Sequence, residues 1–471
     1  MKSLRHWTFH WLIVLFVCST GMEGASPPIP SHFDAAAIDA FLEAQVKERA
    51  IPGLSIAIMQ KGRLVLAKGY GKSSLEGHAP VGTNTMFAIG SVTKQFTSAC
   101  VFLLAEEGKL SVQDKVGKYF PQLTKANEIT LLDLMNHVSG YPDYYPLDFV
   151  DRRMAKPISP DQLLRDYAGG KLDFEPGTRW SYSNTGYVIL GLVVEKVAGE
   201  SFGRFLEQRI LRPLGMDHTV YDPDGRQPGL ARGYASFAFG PPELAQPEGP
   251  GWVAAAGAMW STPSDLAKWD LALMDGKILR PESFKLMTTP RILADGTMTE
   301  YGCGLAMTLR KGKTVLSHNG MVSGFNANNS MIPSTRSAVI ILSNSEFLMG
   351  ALPSKILALL TQPKEDRPRI AGATAADAAR EFFKCLQSGK IDRSQLGEEF
   401  NHLLTADRLR GAAARLKALG RPLQVEVEQL SERGGMEVAN VRFAFKSGKA
   451  VKALMYRTSD GKIQEFLIVR E

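Results

Sequence analysis

Ile38, Phe41, Leu42 and Val46 recur at helical spacing behind Asp34, a capping residue, so residues 34–49 are predicted to form a helix with one apolar face. Two strand-like runs follow at 54–59 and 64–70, and Lys61-Gly62 between them predicts a hairpin. From Gly90 the pattern turns helical through Leu104 and ends near Gly108, and a helix-rich stretch continues to about Leu211. Pro and Gly crowd residues 223–251, which read as a long irregular region. Ser261-Thr-Pro-Ser-Asp265 then carries the cap chemistry that opens another helix. Strand-like runs return at 313–316, 327–332 and 338–342. Early and late strands around a helical middle predict one sheet built from both ends of the chain, with a helical insert.

The segment 363–368, Pro-Lys-Glu-Asp-Arg-Pro, opens a linker assigned to 363–374. Beyond it, 375–471 reads as a small α+β domain. Helical patterns at 375–386, 397–404 and 406–419 precede strands near 425–428, 438–445, 451–456 and 463–469. Gly434-Gly435 and Asp460-Gly461 supply the turns. This order of elements is similar to that of the nuclear-transport-factor-2-like (NTF2-like) group. At the other end, Lys2, Arg5 and His6 precede an apolar run at 11–18 and then small and polar residues to Ala25. That is the pattern of a secretory signal over residues 1–25, so the chain is expected to be exported, to a periplasm or the exterior. The run is far shorter than the roughly 20 apolar residues a spanning helix needs, so no membrane span is expected in the mature chain.

Composition narrows the function classes. Of 471 residues, 22% are charged and 44% hydrophobic, which excludes a disordered or collagen-like chain. The formal charge of +7 is modest for this length. The densest basic stretch, 408–421, has no interleaved aromatic residues, which argues against nucleic acid as a partner. The four cysteines are far apart, and no His-Glu-x-x-His spacing occurs. Neither a disulfide framework nor a metal or other cofactor is therefore expected, and the expected partner is a small molecule or peptide.

The candidate chemistry starts at Gly90-Ser91-Val92-Thr93-Lys94. Three residues apart on a helix, Ser91 and Lys94 share a face. A serine hydroxyl is a weak nucleophile until a base takes its proton, and a lysine can be that base once burial lowers its pKa. A second Ser-x-x-Lys, from Ser459 to Lys462, sits on an Asp-Gly turn, where the two side chains would not stack on a helical face. Tyr182 and Asn184, in Trp180-Ser-Tyr-Ser-Asn-Thr-Gly186, offer a hydroxyl relay and an amide. His318-Asn319-Gly320 follows a strand. Singly, each has an ordinary reading: a helix cap before a surface lysine, a polar turn before a helix, a strand end with a turn glycine.

Together, Ser-x-x-Lys, Tyr-Ser-Asn and His-x-Gly in this order resemble the penicillin-recognising serine hydrolases: class C β-lactamases, D-alanyl-D-alanine carboxypeptidases and related esterases and D-aminopeptidases. The runs 87–96, 129–140 and 256–269 share the likeness, and the family domain is assigned to 26–362. The resemblance implies an antiparallel sheet flanked by helices with a helical subdomain. It implies that Ser91 forms an acyl-enzyme, that Lys94 handles its proton and that Tyr182 helps to deprotonate the serine and protonates the leaving group, with either Lys94 or Tyr182 as the resting base. It further implies that Asn184, His318, Asn319, Gly320 and Met321 bind substrate, the amides of Ser91 and Met321 forming an oxyanion hole. His stands where class C β-lactamases usually carry Lys in the third motif, and an imidazole is only partly charged near pH 7. That departure points toward amide or ester hydrolysis, of carboxypeptidase or esterase type. A β-lactamase and a non-catalytic penicillin-binding sensor stay open as alternatives. An α/β-hydrolase is not, since that fold expects Gly-x-Ser-x-Gly at a strand-to-helix elbow and no serine is read in that context.

Overall fold

The structure, a computed structural model, describes residues 33–145, 152–225, 227–238, 240–346, 349–350, 352–361 and 370–470. The signal assigned to residues 1–25 and residues 363–369 of the linker lie outside the described residues. Asp34 caps α1 (Ala35–Glu48), its Oδ1 accepting from the amides of Ala36 and Ala37 at 2.9 and 3.2 Å. Lys61 and Gly62, both at positive φ, turn β1 (Gly53–Gln60) into β2 (Arg63–Gly71). In α2 (Thr93–Glu106), Thr93 through Leu104 are all buried, so the helix is surrounded rather than amphipathic. It packs with α3 (Asn184–Ala198) and the short helix Ala254–Gly257. Thr262 caps α4 (Pro263–Met274), with proline in the first turn.

The late strands are β3 (Ala306–Arg310), β4 (Lys313–Val322), β5 (Phe325–Ile332) and β6 (Ser337–Ser343). Together with the first hairpin they make one six-stranded sheet, in the order β2-β1-β6-β5-β4-β3. Every neighbouring pair is antiparallel. The ends of the domain meet at its centre, where β1 pairs with β6 from Leu54 opposite Ser343 to Met59 opposite Ala338. α1 packs on β2, and α4 on β1 and β6. The predicted fold, an antiparallel sheet with helices and a helical subdomain, is the one observed.

Two local expectations change. β3 gave no clear signal, because it is an edge strand whose Leu309 is 75% exposed. β4 does not stop at Leu316 but runs through His318-Asn319-Gly320 to Val322. Polar side chains there break the apolar pattern, but the strand is held by backbone pairing with β5, from Met331 opposite Leu316 to Phe325 opposite Val322.

The chain divides into two units, the first ending at Leu357 and the second beginning at Ala358. In the second, α5 (Ala375–Ser388), α6 (Glu398–Leu403) and α7 (Ala406–Lys417) precede four strands. These are β7 (Pro422–Arg433), β8 (Met436–Phe445), β9 (Ala450–Arg457) and β10 (Ile463–Arg470), an antiparallel meander in sequence order. The unit has its own core, in which Phe383 stacks on Phe443 at 4.6 Å between centroids and Phe382 meets Phe466 at 5.0 Å.

Candidate active site

Ser91 sits in a tight 3-10 turn, Gly90–Val92, that feeds α2, rather than in the α-helix itself. It is half-buried, while every residue from Val92 to Cys100 is buried. Lys94, one turn on, is 0% exposed. Its Nζ lies 3.0 Å from Ser91 Oγ, 2.7 Å from Asn184 Oδ1 and 2.8 Å from the carbonyl oxygen of Ala256. Burial pushes its pKa down to about 7, against a partial opposing pull from Asp143. The partners fix what each protonation state can do. Ala256 O and Asn184 Oδ1 can only accept, so in the neutral amine they take both N–H groups. The remaining lone pair then faces the Ser91 hydroxyl.

Asn184 opens α3 and is itself oriented. Its Nδ2 and its backbone N–H donate to Asp143 Oδ1 at 3.1 and 3.0 Å, which turns its carbonyl oxygen toward Lys94. Tyr182, two residues earlier, lays its ring beside the same amine, with Nζ 4.9 Å from the centroid. Tyr187 presents another ring at 5.3 Å. The three elements that carry Ser91, Lys94, Tyr182 and Asn184 thus converge on one amine.

The strand motif approaches from the opposite side. A Cβ on Gly320 would lie 1.8 Å from the Ile89 carbonyl oxygen and 3.2 Å from the Ser91 amide nitrogen. Only glycine lets β4 run this close to the turn. Gly90, at φ 49°, is tight from the other direction, since a Cβ there would sit 2.7 Å from the Met321 nitrogen. The amides of Ser91 and Met321 are thereby brought to the two sides of one narrow contact. Asn319 is exposed, and its Oδ1 accepts from Asn328 Nδ2 at 2.7 Å. His318 departs from expectation. It is buried, and burial together with the charge of Lys94 drives its pKa down to about 3, so it is neutral rather than partly charged near pH 7. Its Nδ1 donates to the Asn319 carbonyl at 2.5 Å, which leaves Nε2 to accept from the Tyr301 hydroxyl at 2.7 Å.

A beta-lactamase family model matches residues 38–361. The chain belongs to the beta-lactamase family. Within that family it is 30% identical over 325 residues to PbpX of Bacillus subtilis (strain 168), named as a penicillin-binding protein, covering 67% of this chain and 77% of PbpX. Among solved structures it is similar to a D-stereospecific amidohydrolase from Streptomyces sp., at 26% identity and a TM-score of 0.57, over 66% of this chain and 94% of that one. An octameric penicillin-binding protein homologue from Pyrococcus abyssi shares the fold over 93% of this chain and 100% of its own, at 22% identity and a TM-score of 0.59. Among the described residues, no helix is long and apolar enough to cross a membrane.

Several groups at this beta-lactamase-family site were not singled out from sequence. Asp143 and the Ala256 carbonyl hold the Lys94 environment, and Tyr301 fixes the state of His318. Tyr301 left no local signal. Ala256 and His137 lay in the runs that carry the family likeness, without a role attached. The second Ser-x-x-Lys, ending at Lys462, falls on the turn between β9 and β10, with Gly461 at φ 88°.

Proposed function

We propose that the protein is a serine hydrolase that forms an acyl-enzyme on Ser91 and cleaves an amide or ester bond. The observation that carries this reading is the buried Lys94 amine, 3.0 Å from Ser91 Oγ and bound otherwise to two acceptors. Neutral Lys94 takes the Ser91 proton as Oγ attacks the acyl carbon. The resulting oxyanion is held by the amides of Ser91 and Met321, each such donor being worth roughly 2.7–4 kcal/mol of barrier. As the tetrahedral species collapses, the carbon–nitrogen or carbon–oxygen bond breaks. The proton passes through Tyr182 to the departing amine or alcohol. Water then attacks the acyl-serine by the reverse proton route, restoring the Ser91 hydroxyl and releasing the acid.

His318 bears on substrate. Both of its nitrogens are already engaged and it carries no charge, so it offers a substrate carboxylate neither a cation nor a free N–H. That favours amides and esters whose leaving group has no carboxylate over β-lactams and over D-alanyl-D-alanine termini. The D-stereospecific amidohydrolase likeness supports a D-amino-acid acyl group. The signal pattern of residues 1–25 supports export. The complete Ser91–Lys94–Asn184 constellation weighs against a non-catalytic sensor.

The test is a panel of D-amino-acid amide, short-chain ester, D-Ala-D-Ala peptide and nitrocefin, run beside Ser91→Ala with fluorophosphonate labelling. The amide and ester should turn over faster than the other two, and labelling should vanish in Ser91→Ala. Labelling that survives in that variant would remove Ser91 from the mechanism.

A further inference from the structure

His137 is buried at 1% exposure, yet the mechanism above gives it no part. Its position is unusual in three independent ways. First, it has φ 59°, in the left-handed region that few non-glycine residues enter. Second, it holds the backbone on both sides of Tyr182. The Ser181 N–H donates to the His137 carbonyl at 3.0 Å, and the Ser183 N–H donates to His137 Nδ1 at 3.1 Å. Third, its ring lies against the Tyr182 ring at 4.3 Å between centroids. The left-handed backbone is what lets one residue offer its carbonyl and its side chain to the same three-residue stretch.

We infer that His137 is the positioning residue for Tyr182: it clamps the amides before and after the tyrosine and backs its ring, so that the phenol is held ready for the leaving group. This rests on the acyl-enzyme reading above. Because Nδ1 accepts, the proton of the neutral ring is on Nε2, which has no hydrogen-bond partner among the described residues. That nitrogen sits instead in an aromatic surround, with the Tyr301, Tyr187 and Trp180 centroids 4.8, 5.2 and 6.0 Å from the imidazole. The ring is therefore tied at one nitrogen only, the one that faces Ser183. A protonated imidazole would lose that acceptor and release the clamp.

The test separates positioning of a proton donor from general support of the fold. Leaving-group protonation matters for an amide and hardly at all for an activated reagent. His137→Phe keeps a ring but loses the Nδ1 acceptor. His137→Asn keeps an acceptor in the Nδ1 place and a side chain that tolerates the left-handed region. In His137→Phe, kcat for a D-amino-acid p-nitroanilide should fall about 10- to 100-fold at little-changed KM, a fraction of what a general acid contributes. The rate of Ser91 labelling by fluorophosphonate should stay within about threefold. His137→Asn should recover most of the anilide rate. Equal loss in both assays, no loss in His137→Phe, or no recovery in His137→Asn would overturn the assignment. Should His137→Phe fail to fold, the anilide-to-labelling ratio in His137→Asn decides, a fall of tenfold or more in both overturning it. Labelling that persists in Ser91→Ala would instead bring down the hydrolase reading, independently of His137.

Discussion

An amine shut away from water holds its proton weakly, and at Lys94 this sets when the site can work. With a pKa of about 7, the general base is free above that pH and blocked below it. The pH profile of kcat/KM should therefore show an acid limb near pH 7, with the rate falling as pH drops. Lys94→Met should lower kcat/KM by about 10²–10⁴-fold while the fold persists, measured by amide turnover beside thermal melting. Asp270, on α4, is a second buried group with a displaced titration. Its Oδ1 accepts from Asn329 Nδ2 at 2.8 Å, while its Oδ2 and Asn329 Oδ1 have no partner among the described residues. A proton on the carboxyl relieves the cost of a buried charge, and burial raises the Asp270 pKa from 3.8 to about 7. An acid whose pKa is raised on folding contributes stability in full below the unfolded value, and loses it as pH rises through the folded one. The contribution is thus complete below about pH 4 and gone above about pH 7. Asp270→Asn carries its own N–H donor at every pH. Melts at pH 5 and pH 8 should show the variant gaining on the parent at the higher pH, by about 1–3 kcal/mol. Of the residue-scale chemistry, Ser91 and Lys94 were legible because their relation is local, three positions on one helical turn. The charge of His318 was not, because burial and a cation from another element set it.

At the scale of elements, the site depends on how close a strand can come to a turn. Gly320→Ala would drive a methyl group into the Ile89 carbonyl, 1.8 Å from where the Cβ must go. The expected result is a displaced β4, a loss of about 1–3 kcal/mol and a fall in kcat well beyond what that stability loss alone produces, checked by denaturant titration and amide turnover. The far end of β4 is fastened by acidic side chains. Glu248 Oε1 accepts from the Ser323 amide and hydroxyl at 2.9 and 3.0 Å and from the Tyr145 hydroxyl, and Glu346 accepts from the Gly324 amide at 3.1 Å. Sequence periodicity found β1 and β6 because their side chains are mostly apolar and buried, and it found β2 and β5 from shorter apolar stretches at their ends or middle. It stopped short on β4 and missed β3 because backbone pairing, invisible to hydrophobic pattern, defines them.

For the molecule as a whole, the second unit buries its own aromatic core, and the Ser91, Lys94, Asn184 and Ala256 contacts are made within the first. Two unfolding transitions are expected in calorimetry of the full chain. Phe383→Ala should lower only one of them, at about 3–5 kcal/mol, and leave fluorophosphonate labelling intact. A single transition lowered as a block would mean that the units unfold together. The order of helices and strands in this unit was legible from alternation and turn residues alone, whereas its purpose has no motif to announce it. The central seam of the first sheet has a different consequence. β1 is complete once Gln60 has been made, but its partner β6 ends at Ser343. At roughly 5–20 residues per second, the ribosome takes on the order of ten seconds to a minute to deliver the missing neighbour. Throughout that interval the nascent chain carries a greasy ribbon with one flank unmatched, so an escort that shields it until the last hairpin emerges should raise the yield of folded protein.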